Sequence, residues 1–285
     1  MYLPEEMMEP VKGYPHLMCC TGQPGIGKSS LFRGLNMNGY KCLVLDLQSG
    51  YQHIGGYKVD IKEIAQKEGI SLLKAYSKVL GDLIKAKNEG NQYDFIVVDP
   101  LTAWKPMIIE KAAEIYNNSM VGKSQARKLA EEKFGTKTPD AKQIASCLSK
   151  DPVAELGQNG WNFYGQAFSI LYQSIQGLAK HCLFFVAHTK YNTLKKTEIS
   201  EIAVKEIDFW PSYLLQIIGD ASDSCAVYRE ENTVVASFKV KAEQSHFKSR
   251  WFDGQDIVLS TKKEDGTIET HWERIFPFLL NPKDN

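Results

Sequence analysis

One stretch constrains this chain more than any other. Gly22-Gln-Pro-Gly-Ile-Gly-Lys-Ser29 satisfies the spacing G-x(4)-G-K-[ST] at every fixed position. It follows the short apolar run His16–Thr21 and precedes a helix-forming stretch, Ser29–Leu35, that stops near Gly39. Glycines let a backbone curl tightly without Cβ clashes. Successive N–H groups then point inward as an anion nest, and the positive end of the following helix adds to it. Such a loop suits a chain of phosphates. Gly22, Gln23, Pro24, Gly25, Ile26, Gly27, Lys28, Ser29 and Ser30 would wrap it. Lys28 would reach the β- and γ-phosphates, Ser29 would coordinate magnesium and Ser30 would touch the α-phosphate.

The segments that follow extend an α/β pattern. Lys41–Leu47 and Tyr93–Asp99 are apolar on both faces, as buried parallel strands are, and Leu183–Ala187 is a further strand of this kind. Ile61–Glu89 predicts one or two helices with a break at Gly69-Ile70-Ser71. Residues 104–160 are polar and mixed in charge, which predicts a helical insertion between core elements. Tyr164–Lys180 carries apolar residues near the 3.6-residue period and predicts a helix. Beyond it, Ser224–Arg229 with Val234–Val240, and Ile257–Thr261 with Thr267–His271, predict two hairpins, the second turning at Asp265-Gly266. The expected sheet has a parallel centre and an antiparallel extension.

Composition narrows the function classes only slightly. The chain has 285 residues, ample for one large domain, and 34 basic side chains balance 34 acidic ones. Global charge therefore names no partner, and any nucleic-acid surface has to be a local patch. No apolar run is long enough to span a bilayer, and the acidic start lacks the features of a signal peptide, so a cytoplasmic, membrane-free protein is expected. The six cysteines contain no CxxC pair and read as small core residues.

With these residues placed, the sequence resembles the RecA-like branch of P-loop ATPases. More narrowly it resembles the core-only RecA-type ATPases of bacteriophages, some of them single-strand annealing proteins of the Sak type. The resemblance rests on GQPGIGKSS, CLVLDLQSG, DFIVVDPLTAW, FYGQAFSILYQSIQGLAKHCLFFVAHTK and SRW…WERIFPFL, in that order. It implies an α/β, RecA-like P-loop NTPase core: a mostly parallel central sheet, helices on both faces, a helical insertion and C-terminal antiparallel hairpins. A single domain over 1–285 is expected, with the insertion at about 105–160 and the extension at about 222–280. ATP and Mg2+ are the implied cofactors.

Asp99, at the end of FIVVD, is placed to hold magnesium through water. RecA-like proteins carry a water-activating glutamate just beyond the second core strand. Here that stretch reads Asp46-Leu47-Gln48-Ser49, without a glutamate. Asp46 is the nearest carboxylate, either a base or a structural strand end, and Gln48 can orient water but accept no proton. Slow hydrolysis is expected, with ATP acting partly as an assembly switch. The resemblance implies that His188 is a γ-phosphate sensor. The resemblance implies that the loop after it, with Lys190, Tyr191, Lys195 and Lys196, faces single-stranded DNA, where lysines can meet phosphates and the aromatic can stack on a base. Lys239 and Lys241 lie two apart on one strand face, and the RecA-like resemblance implies that they, with Arg250 as a further candidate, act in trans on a neighbour's nucleotide.

These expectations add up to a DNA-dependent ATPase of phage recombination, annealing or replication, working as a homo-oligomeric ring or filament, with a phage single-strand binding protein as a further partner. The rivals are a helicase-like or loader motor, a P-loop small-molecule kinase and a nucleotide-gated binding module. The insertion holds a single arginine, Arg127, which weighs against a kinase lid.

Overall fold

The computed structural model describes residues 13–197, 200–239 and 249–280, with backbone alone over 190–206. The chain enters through β1 (Leu17–Gly22), turns through the glycine-rich loop and runs into α1 (Lys28–Met37). Next come β2 (Cys42–Asp46), the short β3 (Tyr57–Asp60), α2 (Ile61–Glu68) and α3 (Leu72–Asn88). The break between the two helices is chemically explicit. Gly69 closes α2 at φ 64, and the Ser71 side chain accepts the Lys74 amide to open α3.

Strand β4 (Phe95–Asp99) leads into α4 (Trp104–Asn118), α5 (Met120–Phe134), the short α6 (Ala141–Ala145) and α7 (Pro152–Leu156), then α8 (Trp161–Ile175). The chain continues with β5 (Cys182–Thr197), β6 (Ser200–Ile207), α9 (Pro211–Asp220), β7 (Asp223–Glu230), β8 (Thr233–Ser237), β9 (Asp256–Lys262) and β10 (Ile268–Thr270).

The strands lie side by side in the order β10-β9-β8-β7-β1-β5-β4-β2-β3, and β6 pairs with β5 outside that row. Pairing is parallel from β7 through β1, β5, β4 and β2 to β3, and antiparallel from β7 to β10. The fold is thus a mixed α/β sheet with a parallel centre, the architecture of a P-loop NTPase core.

Alternation along the central strands divides the core in two. Leu43, Leu45, Ile96, Val98, Leu183 and Phe185 face one side, against helices that contribute Tyr76, Trp104, Phe168 and Tyr172. Val44, Val97, Cys182, Phe184 and Val186 face the other, against Leu31, Phe32 and Leu35 of α1 and the C-terminal Trp272 and Phe276. Trp272 ties the end of the chain to its first helix. Its indole N–H donates to the Leu31 carbonyl at 2.7 Å, and its ring stacks on Phe32. Among the described residues no helix is long and apolar enough to cross a membrane.

Three expectations change. The segment 104–160 is less peripheral than its polarity suggests. Trp104, Met107, Ile108, Ala112 and Tyr116 of α4 are buried, so this helix belongs to the core layer. The presumed loop Lys190–Lys196 is a continuation of β5, paired antiparallel with β6 from Thr189↔Ile207 outward, and β6 itself and α9 had no sequence counterpart. Cys147 is only half-buried, whereas the other five cysteines are core residues; all six are free thiols.

Candidate functional site

The parallel strands end together, and the site is built on those ends. Register places Gly22 beside His188 and Asp46 beside Asp99. Loops that leave these positions surround a cleft of about 280 Å³. Pro24, Gly25, Gly27, Lys28, Ser29 and Ser30 supply one wall, and Asp46, Gln48, Tyr51, Asp99 and His188 supply much of the rest. Gly22, Gln23 and Ile26 line a neighbouring cavity instead. The phosphate-loop, metal and water-activating candidates, drawn from well-separated parts of the sequence, thus converge on one place.

The loop takes its shape from Gly25 and Gly27, with φ of 81° and 99°. At Gly27 the space is also occupied, since a Cβ there would lie 3.0 Å from the Arg229 guanidinium. Lys28 is buried, and its ammonium donates to the carbonyls of Gly22 at 3.1 Å and Gln23 at 2.7 Å. Burial pulls its pKa below the ordinary lysine value, while the Asp99 charge opposes that pull. The ammonium therefore sits at the mouth of the loop, fixed by the chain itself.

Asp99 is buried, and burial pushes its carboxyl up to about 6, against the opposing influence of a Tyr51 hydrogen bond and the Lys28 charge. The Tyr51 hydroxyl donates to Asp99 Oδ2 at 2.5 Å. Burial and the Asp99 charge raise the Tyr51 pKa well above its ordinary value, so the phenol stays protonated and remains a donor.

Asp46 has a different task. Its Oδ1 accepts the amides of Gln48 and Gly50, both at 3.1 Å, and its Oδ2 accepts the amide of Tyr51 at 2.9 Å. The carboxylate anchors the turn after β2, which weakens the case for Asp46 as a base. Ser49 reaches the φ of 61° that this turn demands, and its hydroxyl donates to Asp60 at 3.0 Å. From the other side the Lys58 ammonium gathers the carbonyls of Tyr51, Gln52 and Ile54. The loop is thus clamped at both its amides and its carbonyls. Gln48 is exposed on it and lines the cleft.

His188 is half-buried, and burial and Lys28 lower its pKa, so the imidazole is neutral near pH 7. Its carbonyl accepts the Asp208 amide at 2.9 Å, and Asp208 pairs with Lys105 of α4 at 2.7 Å. The base of the β5–β6 hairpin is thereby tied to both the cleft and α4.

The donor set suits a hard divalent cation. Among the described residues no group of three or more His, Cys, Asp or Glu side chains could hold a metal alone. Ser29 and Asp99 offer only oxygen, which fits magnesium completing its shell with phosphate oxygens and water. A match to an AAA domain family covers residues 15–267. The chain belongs to the AAA-domain family. This AAA domain is of a nucleotide-binding, nucleotide-hydrolysing type, in agreement with the phosphate loop that its sequence carries. No curated protein matches the chain at a significant level.

The remaining candidates lie elsewhere. Lys239 follows the end of β8 and pairs with Asp256 instead of standing on a strand face, because β8 stops at Ser237. Arg250 is exposed, its backbone N–H held by Asp223 at 3.1 Å. Neither lines the cleft. Lys241 lies outside the described residues, as do the side chains of Lys190, Tyr191, Lys195 and Lys196. Sequence reasoning missed Tyr51 and Arg229. Tyr51 sits in a stretch without periodicity, and Arg229 looks like an ordinary exposed residue at the end of a hairpin strand.

Proposed function

We propose that this AAA domain is a magnesium-dependent ATPase of the RecA-like, phage Sak-type kind, acting on single-stranded DNA in recombination, annealing or replication. The observation that carries the reading is the convergence of Lys28, Ser29 and Asp99 on one cleft whose wall includes His188. In this reading the loop amides and Lys28 bind the β- and γ-phosphates and neutralise their charge. Ser29 and Asp99 would hold magnesium, which would supply further charge neutralisation on the phosphate oxygens. Gln48 orients the attacking water, and neutral His188 donates a hydrogen bond toward the terminal phosphate. An amide accepts no proton, so hydrolysis is slow without a further group.

The DNA role rests on resemblance and on the place of the β5–β6 hairpin. That hairpin continues the strand that carries His188, and its sequence holds Lys190, Tyr191, Lys195 and Lys196. A change sensed at His188 has a short path to it. Assembly into a ring or filament, with Lys239, Lys241 or Arg250 of a neighbour completing the site, belongs to the same proposal, as does a single-strand binding protein as partner.

The test is ATP hydrolysis with and without single-stranded DNA, for wild type and Lys28→Ala. Stimulation by DNA that disappears in the variant is the expected result. Turnover that ignores DNA and responds to a small-molecule acceptor would replace this reading with a kinase. Brisk turnover with directional movement along DNA would favour a helicase-like motor.

A further inference from the structure

We propose that the turn between β7 and β8, with the end of β9 and the start of β10, forms a nucleoside subsite, in which Asn232 meets the edge of the base and Val234 and Ile268 meet its face. This subsite rests on the nucleotide-site reading above.

The phosphate chain has two ends. In that reading the γ-phosphate lies toward Gln48 and His188, and the α-phosphate lies at Ser30. A second, smaller cavity of about 130 Å³ opens at the Ser30 end. Gly27 and Ser30 line both this cavity and the phosphate cleft, so the two adjoin. Helix α1 directs Ser30 to this side. Ser30 and Gly34 are four apart and share a helix face. At Gly34 a Cβ would lie 2.1 Å from the Thr270 hydroxyl oxygen. The face of α1 that carries Ser30 is therefore the face that meets β10.

The lining suits a base. Val234 and Ile268 supply apolar surface, and Asn232, Ser260 and Lys262 supply polar groups around it. A nucleobase has the matching parts, an apolar face and a hydrogen-bonding edge. The Asn232 carboxamide carries both a donor and an acceptor, the combination that pairs with adenine. These residues are held in place by the chain itself. The Lys262 amide donates to the Asn232 carbonyl at 2.7 Å, and Ile268 stands opposite Lys262 across the β9–β10 ladder. The Thr233 hydroxyl closes the turn by donating to the Glu230 carbonyl at 2.9 Å. Arg229 lines the same cavity beside Gly27, on the phosphate side.

The measurement is calorimetric titration with ATP and with inorganic tripolyphosphate, both with Mg2+, for wild type, Asn232→Ala and Ile268→Ala. The two substitutions lie on different elements, and thermal unfolding checks that each variant is folded. Asn232→Ala should weaken ATP binding about 3–10-fold, the size of one hydrogen bond. Ile268→Ala should weaken it about 2–5-fold through lost apolar contact. Tripolyphosphate affinity should change less than about twofold in either, because the loop amides that hold phosphate are untouched. Equal losses for both ligands overturn the subsite, since they point to a distorted phosphate loop. Wild-type affinity for ATP in both variants overturns it as well and leaves the nucleotide-site reading standing. If wild type binds neither ATP nor tripolyphosphate, the nucleotide-site reading fails and the subsite with it.

Discussion

Replacing Asp46 by alanine separates a structural carboxylate from a catalytic one. Asp46 is 2% exposed and accepts three backbone amides at 3.1, 3.1 and 2.9 Å. A hydrogen bond to a charged group contributes about 1.5–3 kcal/mol, and a buried donor left without a partner costs about 1–3 kcal/mol. Gln48 and Gly50 are exposed, so water can replace the carboxylate at their amides. The Tyr51 amide is buried and has no such recourse. The loss should therefore be about 2–4 kcal/mol, governed mainly by the Tyr51 amide. For a domain of this size that lowers Tm by roughly 5–15 °C. Asp46→Asn, which retains one acceptor oxygen, should fall between the variant and wild type. Urea unfolding gives the stability, and single-turnover hydrolysis on the folded fraction gives the chemistry. An Asp46→Ala protein with wild-type stability and no hydrolysis would make Asp46 the water-activating base instead of an anchor.

Three further outcomes follow from the geometry. A Cβ at Gly34 would lie 2.1 Å from the Thr270 hydroxyl oxygen of β10, so Gly34→Ala should cost about 1–3 kcal/mol by pushing that strand from α1, read as a lower urea midpoint. The Asp99 carboxyl is raised from an ordinary 3.8 to about 6, so in that window the folded chain holds a proton that the unfolded chain has released. Its contribution to stability is then present at the acid end and lost as pH rises toward 6; in chelator, Asp99→Asn should flatten this part of the stability–pH curve, and an unaltered slope would contradict the burial argument. Arg229, beside Gly27, adds positive charge next to the phosphate loop, so Arg229→Ala should weaken ATP binding by about 3–10-fold in low salt and less in high salt, as measured by calorimetric titration.

The legible parts of this chain were those whose chemistry is local. The glycine-rich loop fixes its own spacing, so Gly22–Ser30 could be placed from the sequence, and unbroken apolar runs marked β1, β2, β4 and the start of β5. Asp99 was legible because it ends such a run. Tyr51 was not, since its partner lies 48 positions away and only the parallel pairing of β2 with β4 brings them together. Asp46 stays open between a base and a structural strand end in the sequence, because a carboxylate at a strand end is ambiguous until its amide partners are known. Polar residues hid α4, whose buried face is Trp104, Met107, Ile108, Ala112 and Tyr116. The Lys190–Lys196 stretch looked like a loop because a hairpin arm that leaves the core has little apolar signal, and its pairing with β6 is a property of two segments together.

In the proposed function the loop amides and Lys28, with Ser29 and Asp99, form a site for magnesium-bound nucleotide. Equilibrium binding of ATP with and without Mg2+, to wild type and Lys28→Ala, tests it most directly. Saturable binding by wild type is expected, tightened by Mg2+ and reduced at least about 100-fold by the substitution, equivalent to about 2.7 kcal/mol. No binding by the folded wild type, or equal binding by both proteins, would contradict it.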